Sequence, residues 1–390
     1  MDEAGDVERA VVLAEQLLAE SQRIATSAER RQLRRLGRLI EDDRGRALIQ
    51  MLTDDVLRIH DHARAARRFN EVVRTVGVPR SLGPLDALML RVGARVVPVA
   101  PRLLMPLVIR RIRAETRGVV LSSQDPAFAE HVRVRDMQGV SLNINVLGEA
   151  ILSDAEAALR LAAVRARLAR PDVDYVSVKI SALCANLDPL AFDDGVRRVS
   201  ACLRTLYADA ESARPAKFVN LDMEEFKDLA LTIAAFTAVL DEPEFAHVDA
   251  GIVLQAYLPD SHEAMEHLGQ WAARRHERGG GTIKVRLVKG ANLAMERVDA
   301  ELHGWRQAPY PTKADVDASY KRLLESALRP EWAGAVRVGL ASHNLFDVAW
   351  GLVLRERMDD PERIEFEMLE GMAPAQARCC LLYTSDAADE

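Results

Sequence analysis

The chain has 390 residues, of which 49% are hydrophobic and 28% charged, and its formal net charge is -7. This length is enough for one large domain and a smaller one. The acidic balance argues against a generally basic surface, so no nucleic-acid partner is expected. The N-terminus lacks the pattern of a secretory signal, and the cysteines form no CxxC pair, which favours a reduced, cytoplasmic protein.

The first third of the chain is predicted to be helical. Over residues 7–75, apolar side chains recur at the three- and four-residue spacings of amphipathic helices. Proline and glycine mark a break at 79–84, and more apolar helices are predicted up to about residue 118.

The longest apolar zone of the chain is 85–113, but Arg91, Arg95 and Arg102 interrupt it. Burial of these charges in a bilayer would cost several kcal/mol in total. We therefore predict packed helices here rather than a membrane-spanning one. Contact with a membrane surface is the alternative.

From about residue 139, short runs rich in Val, Ile and Leu alternate with longer amphipathic segments. The predicted strands are 141–147, 175–181, 217–222, 251–257, 282–288, 336–342 and 363–369. Seven such units imply parallel strands joined by crossover helices. They predict an α/β fold, a (β/α)8 TIM-type barrel that is incomplete at the C-terminus. No GxGxxG follows the first strand, which argues against a Rossmann unit.

Polar side chains are predicted at the C-terminal ends of six of these strands, where barrels carry their chemistry. They are Lys179, Asp222, Gln255, Arg286, Lys289, His343, Glu367 and Glu370. Because an unpaired buried charge is costly, Lys179 and Arg286 must have anionic partners, either Asp222 or a bound anion. Lys284, nearer the start of its strand, is assigned no role.

Two motifs that suggest ligand sites are discounted. The glycine triplet 279–281 precedes the fifth strand and so lies at the opposite end of the barrel, where a turn is expected. The histidines of 262–267 are five residues apart, about 140° around a helix, whereas ligands on one face are four apart. No metal site is predicted.

Several motifs together resemble a known family. They are VSVKISAL (176–183), VNLDMEE (219–225), LQAY (254–257), VRLVKGA (285–291), ASHN (341–344) and FEMLEGM (366–372). In order and spacing they are similar to the proline dehydrogenase domain of bacterial PutA-type (bifunctional proline utilisation) proteins, over about residues 120–375. The resemblance implies a helical arm or cap at 1–120, a barrel at 121–378 and an atypical tail at 379–390.

The resemblance implies an FAD-dependent enzyme of proline catabolism. It would oxidise L-proline to Δ1-pyrroline-5-carboxylate and pass electrons to a membrane quinone, which leaves open a peripheral location at the inner membrane face. Lys179 would face the proline carboxylate, and Asp222 would lie at the substrate side and help to orient Lys179. Asp222 and Arg286 are the catalytic residues it implies, with either Asp222 or solvent as the general base.

The same motif match implies the flavin contacts. Met223 and Gln255 would contact the flavin, and Arg286 would lie against the isoalloxazine ring. The residues that would hold the ribityl, phosphate or adenosine parts are Lys289, Gly290, Ala291 and His343. A guanidinium beside the ring would stabilise the negative charge that develops during hydride transfer.

The chain departs from the family pattern in two places. Asn292 and Leu293 stand where many members have aromatic residues. At the C-terminus, the family continues through an eighth strand and an eighth helix with an arginine pair, whereas this chain ends 377-ARCCLLYTSDAADE-390. The segment 381–384 comes too soon to be that strand. The expectation is a weakly active fragment, without the aldehyde dehydrogenase domain that follows in PutA proteins.

Two other functions agree with parts of the sequence. Lys179 at a strand end suits a Schiff-base lyase on a (β/α) barrel, but this chemistry needs an uncharged amine, which a nearby Asp222 disfavours. The Arg-rich N-terminal helices suit a scaffold or oligomerisation module. A homo-oligomer is compatible with the enzyme as well.

Overall fold

The computed structural model describes residues 3–56, 59, 61–115, 126–145 and 151–384. The chain forms two compact units. One comprises described residues within 1–16 and 123–368, and the other comprises those within 17–122 and 369–390. We call them the barrel unit and the helical unit.

The helical unit confirms the predicted helical N-terminal region. Its helices are α1 (Glu3–Ile24, which begins in the barrel unit), α2 (Ser27–Glu41), α3 (Asp43–Met51), α4 (His62–Val76), α5 (Pro84–Val96), α6 (Pro101–Glu115) and α16 (Pro374–Thr384). Phe69, Val72 and Met105 are buried in one apolar cluster where α4 meets α6. No helix in the described ranges is both long and apolar enough to cross a membrane.

The end of the described chain packs inside the helical unit. Thr26 and Glu29 form a capping box at the start of α2. The Glu29 carboxylate also accepts two hydrogen bonds from Arg378, at 2.6 and 2.9 Å, and Cys379 is fully buried. The segment 381–384 is the last turn of α16 and not a strand. Residues 385–390 of the predicted tail lie outside the described residues.

The barrel unit contains one parallel sheet in sequential order. Its strands are β1 (Asn143–Asn145), β2 (Tyr175–Lys179), β3 (Phe218–Asp222), β4 (Ala250–Gln255), β5 (Ile283–Val288), β6 (Val336–Ala341) and β7 (Ile364–Glu367). Its helices are α7 (Ala127–Asp136), α8 (Asp154–Leu168), α9 (Ile180–Leu183), α10 (Phe192–Ser212), α11 (Leu229–Leu240), α12 (Ser261–Glu277), α13 (Leu293–His303), α14 (Lys313–Ala327) and α15 (Leu345–Arg355). The predicted seven-unit incomplete barrel is confirmed.

The sheet is curled, as contacts between strands that are not neighbours show. Arg286 on β5 donates a hydrogen bond to the Tyr175 hydroxyl on β2 at 2.7 Å, three strands away. Lys284 on β5 forms an ion pair with Glu365 on β7 at 2.8 Å, across β6. In the described sheet β1 and β7 are the edge strands, so it is a half-barrel whose concave face carries these side chains.

A buried arginine secures the N-terminal end of the sheet. Arg275, on α12, is 2% exposed and donates hydrogen bonds to four backbone carbonyls, of Leu240, Phe245, Val248 and Gly281. Gly279 has a φ of +81°, and the glycine triplet forms the predicted turn between α12 and β5. The guanidinium thus joins the chain ends that lead into β4 and β5.

We predict that Arg275→Met lowers the free energy of unfolding by about 2–4 kcal/mol, because four buried carbonyl groups lose their donor. Thermal and urea unfolding followed by circular dichroism would measure this. Arg274→Met is the matched control, since Arg274 is exposed on the same helix, and a change under about 0.5 kcal/mol is expected there. Equal effects of the two substitutions would contradict the role given to Arg275.

Candidate active site

The polar side chains of the half-barrel meet because the strands are in register. Tyr175, Ser177 and Lys179 alternate along β2, so they share one face. Their partners on β3 are Phe218, Asn220 and Asp222 in the same order. The concave face therefore changes from aromatic at its N-terminal end to charged at its C-terminal end.

Arg286 lies at the centre of this face and is held by two carboxylates. The guanidinium is 2.8 Å from Asp222 and 2.6 Å from Glu367. Burial acts to lower the pKa of Arg286, but Glu367 and the other acidic neighbours raise it overall. Burial raises the pKa of Asp222, and Arg286 opposes that effect. The expected pairing of Arg286 with Asp222 is present.

Lys284 is a second buried cation on the same strand, and the structure supplies its partners. Its side chain is 4% exposed, and its ammonium lies 2.8 Å from Glu365 and 3.1 Å from Glu367. It also lies 4.3 Å from the centre of the Tyr175 ring, a cation–π contact. Because Glu367 contacts both Lys284 and Arg286, the two cations belong to one ionic network.

Lys179 has a partner that sequence reasoning did not name. Its ammonium is 2.8 Å from the Glu224 carboxylate, and the side chain is 22% exposed. Asp222 instead accepts hydrogen bonds from Asn145 at 2.6 Å and from Asn220 at 3.0 Å, besides its contact with Arg286. Lys179 is close enough to favour ionisation of Asp222, so the two groups share one site.

Met223 and Gln255 lie beside this cluster and are 7% and 2% exposed. The Gln255 amide donates to the backbone oxygen of Glu224 at 3.3 Å. Its Oε1 is buried and makes no hydrogen bond of good geometry within the described residues, although Tyr257 is adjacent. A buried acceptor at the ligand end of a strand suits a bound group that carries N–H donors. The residues present therefore fit a flavin.

Lys289 lies just beyond the end of β5, and the positive φ of Gly290, +120°, follows it. A Cβ at Gly290 would lie 2.5 Å from the Tyr257 ring, so this turn requires glycine. The Lys289 ammonium is 2.5 Å from Asp317 and 2.7 Å from Asp347. An anion bound here would have to compete with both carboxylates.

The remaining predicted residues lie in loops at the ends of strands. His343 is half-buried after β6, and Ala291 is exposed at the start of the loop before α13. The structure brings together Lys179, Asp222 and Arg286, and holds Lys289 in a separate ion cluster with Asp317 and Asp347. No group of three or more candidate metal ligands occurs in the part of the chain that the structure describes.

Sequence reasoning missed several contacts of the site. Tyr175 could have been found, since it shares the two-residue period of Lys179. Glu224 keeps the two-residue spacing of Asn220 and Asp222, but it lies beyond the end of β3, where strand alternation no longer fixes the direction of a side chain. Asp317 on α14 and Asp347 on α15 carry no strand pattern, and only the packing of these helices brings them to Lys289.

Comparison with known proteins identifies the family. The family model described as proline dehydrogenase matches residues 128–382. A proline dehydrogenase of Deinococcus radiodurans is 28% identical over 247 residues, which are 62% of this chain and 69% of that protein. The hydroxyproline dehydrogenase of Rattus norvegicus is 36% identical over 154 residues, 38% of this chain and 33% of that protein.

Among solved structures, proline utilization A (PutA) from Corynebacterium freiburgense is similar, with a TM-score of 0.68 and 46% identity. The match covers 72% of this chain and 29% of that one, so the chain spans under a third of that PutA. The matching family model covers well over half of the chain and includes every residue of the ionic network. This chain belongs to the proline dehydrogenase family.

Proposed function

We propose that the protein oxidises L-proline to Δ1-pyrroline-5-carboxylate with FAD as its cofactor. The observation that carries this proposal is Arg286, a guanidinium held at the ligand end of the half-barrel between Asp222 and Glu367, at 2.8 and 2.6 Å. A fixed, buried cation of this kind favours a reaction in which negative charge develops next to it. Because the chain belongs to the proline dehydrogenase family, the reaction to expect is the oxidation of proline.

Met223, Gln255 and Arg286 would contact the flavin, and Lys289, Gly290, Ala291 and His343 would hold its ribityl, phosphate or adenosine parts. When bound, the flavin would accept a hydride from the substrate. The protein would supply the Arg286 charge and the Gln255 acceptor without moving either group, because both side chains are buried.

Lys179 would bind the substrate carboxylate. Its side chain is more exposed than that of Arg286, 22% against 10%, and among the described residues the Glu224 carboxylate alone forms an ion pair with it. A proline carboxylate would replace or share that partner through a charge-assisted hydrogen bond. The nitrogen of proline must also lose a proton, and either Asp222 or solvent would accept it. The ion pair of Lys179 with Glu224 would have to break before Lys179 could attack a carbonyl group, which disfavours the Schiff-base alternative.

The first prediction of the proposed function tests the reaction. With FAD bound and oxygen excluded, L-proline should bleach the flavin absorbance near about 450 nm. Because the rat relative is a hydroxyproline dehydrogenase, trans-4-hydroxy-L-proline is the comparison substrate. Faster bleaching by hydroxyproline would assign the protein to that substrate instead. Bound flavin that neither compound reduces would contradict the proposal.

The second prediction tests Lys179. Lys179→Met should raise the KM for proline by about 10–100-fold with a smaller change in kcat, because the lost contact is to a part of the substrate that does not react. Steady-state kinetics with an artificial electron acceptor would measure it. Lys227→Met is the control, since Lys227 is half exposed and pairs with Glu225. An unchanged KM in the Lys179 variant would exclude the carboxylate role.

Quinone as the acceptor requires access to a membrane, and the helical unit carries a suitable surface. Five exposed apolar side chains form a stripe along one face of α5, and two more lie on α6. They are Leu85, Leu88, Met89, Val92, Val96, Leu103 and Leu107. The exposed arginines nearby are Arg91, Arg95, Arg102, Arg110 and Arg111. An apolar stripe bordered by cations suits the surface of an anionic bilayer. We therefore place peripheral membrane contact on this stripe.

The third prediction tests this surface. The protein should bind vesicles that contain phosphatidylglycerol more tightly than vesicles of phosphatidylcholine alone, and salt should weaken the binding. The double variant Leu88→Glu/Val92→Glu should reduce co-sedimentation about tenfold or more. Leu190→Glu is the control, because Leu190 is 96% exposed on the barrel unit. Binding that the double variant leaves intact would place the contact elsewhere or exclude it.

A further inference from the structure

Two thiols lie side by side directly after the strand that carries Lys179. Cys184 ends α9 and Cys202 lies on α10, and their sulfur atoms are 3.8 Å apart in a hydrogen bond. Cys184 is 6% exposed, whereas Cys202 is half-buried, so a small reagent has access to only one of the two. The reaction proposed for the barrel uses neither thiol.

The geometry requires little movement to join them. A disulfide has an S–S distance of about 2.05 Å, so the sulfur atoms must approach by roughly 1.8 Å. Cys184 has an extended backbone at the end of a four-residue helix, with φ of −134° and ψ of 130°. Rotation about its Cα–Cβ bond is therefore not constrained by a preceding helical turn, as it would be within a long helix. Cys379 and Cys380, by contrast, are consecutive residues of α16.

The surroundings give the two thiols different chemical roles. The hydrogen bond between the two thiols lowers the pKa of Cys202 to about 7, and Arg198, one helical turn earlier, acts in the same direction. The same hydrogen bond, together with burial, raises the pKa of Cys184. Cys202 is thus the more accessible thiol and the one that ionises more readily, and Cys184 lies within reach of it.

We propose that Cys184 and Cys202 form an oxidation site, at which hydrogen peroxide converts the two thiols into an intramolecular disulfide. The Cys202 thiolate attacks one peroxide oxygen, the O–O bond breaks, and Cys202 becomes a sulfenic acid with release of hydroxide, which takes up a proton to form water. The Cys184 sulfur then attacks the Cys202 sulfur and expels the second water. Overall, two thiols are oxidised, one peroxide is reduced, and two water molecules form.

The bond would fix α9, which directly follows Lys179, to α10.

The reduced protein is treated with peroxide, free thiols are alkylated, and the protein is digested with trypsin. We expect peptide 180–197 linked to peptide 199–204, with a mass lower by two hydrogen atoms, and separation on addition of dithiothreitol. Cys379 and Cys380 should stay alkylated, which serves as the control within the same digest. Alkylation of Cys184 and Cys202 after peroxide treatment would overturn the proposal, as would a link between two molecules.

Two variants test the order of attack. In Cys184→Ser, Cys202 should be trapped as a sulfenic acid by dimedone. In Cys202→Ser, dimedone labelling of Cys184 should be at least about tenfold lower than the labelling of Cys202 in Cys184→Ser, because a buried thiol with a raised pKa reacts slowly. Equal labelling of both variants would exclude Cys202 as the attacking thiol. None of these outcomes depends on turnover of proline, so failure here is distinct from failure of the proposed activity.

Discussion

The barrel unit depends on an ionic network inside its curled sheet. Lys284 and Arg286, on one face of β5, are both under a tenth exposed, and Glu367 lies 3.1 and 2.6 Å from them. Charges this buried are costly unless each is paired and hydrogen-bonded, and loss of one member leaves its partner without compensation. Because the other carboxylates come from β3 and β7, the network also links strands that do not pair directly in the sheet.

Glycines on neighbouring strands leave space for this network. A Cβ at Gly339, on β6, would lie 2.6 Å from the Glu367 carboxylate, and one at Gly251, on β4, would lie 2.4 Å from Asn220. Polar side chains can therefore cross the concave face above these two glycines. The charged groups are thereby held in place by one another, which is the property that electrostatic stabilisation of a reaction requires.

The cations of the site differ in how firmly they are held. Within the part of the chain that the structure describes, Arg286 contacts two carboxylates and a tyrosine hydroxyl, whereas Lys179, at 22% exposure, contacts one carboxylate. The firmer pairing of Arg286 agrees with the role proposed for it as a fixed charge, and the looser pairing of Lys179 agrees with the proposed exchange of its partner for a substrate carboxylate. Lys289 resembles Lys179 in its exposure, at 25%, but like Arg286 it has two carboxylate partners, so it is held with intermediate firmness.

The sequence by itself determined the order of the seven strands, the helical N-terminal region and the placement of Lys179, Asp222, Gln255 and Arg286 near one end of the sheet, because hydrophobic periodicity is a local property. Apart from the pair of Asp222 with Arg286, only the tertiary structure decided which charges pair. Glu224 holds Lys179, Glu365 and Glu367 hold Lys284, and Asp347 reaches Lys289 from α15. It also decided that 381–384 ends a helix. Such pairings depend on sheet curvature and helix packing, and these bring together residues that no spacing along the chain connects.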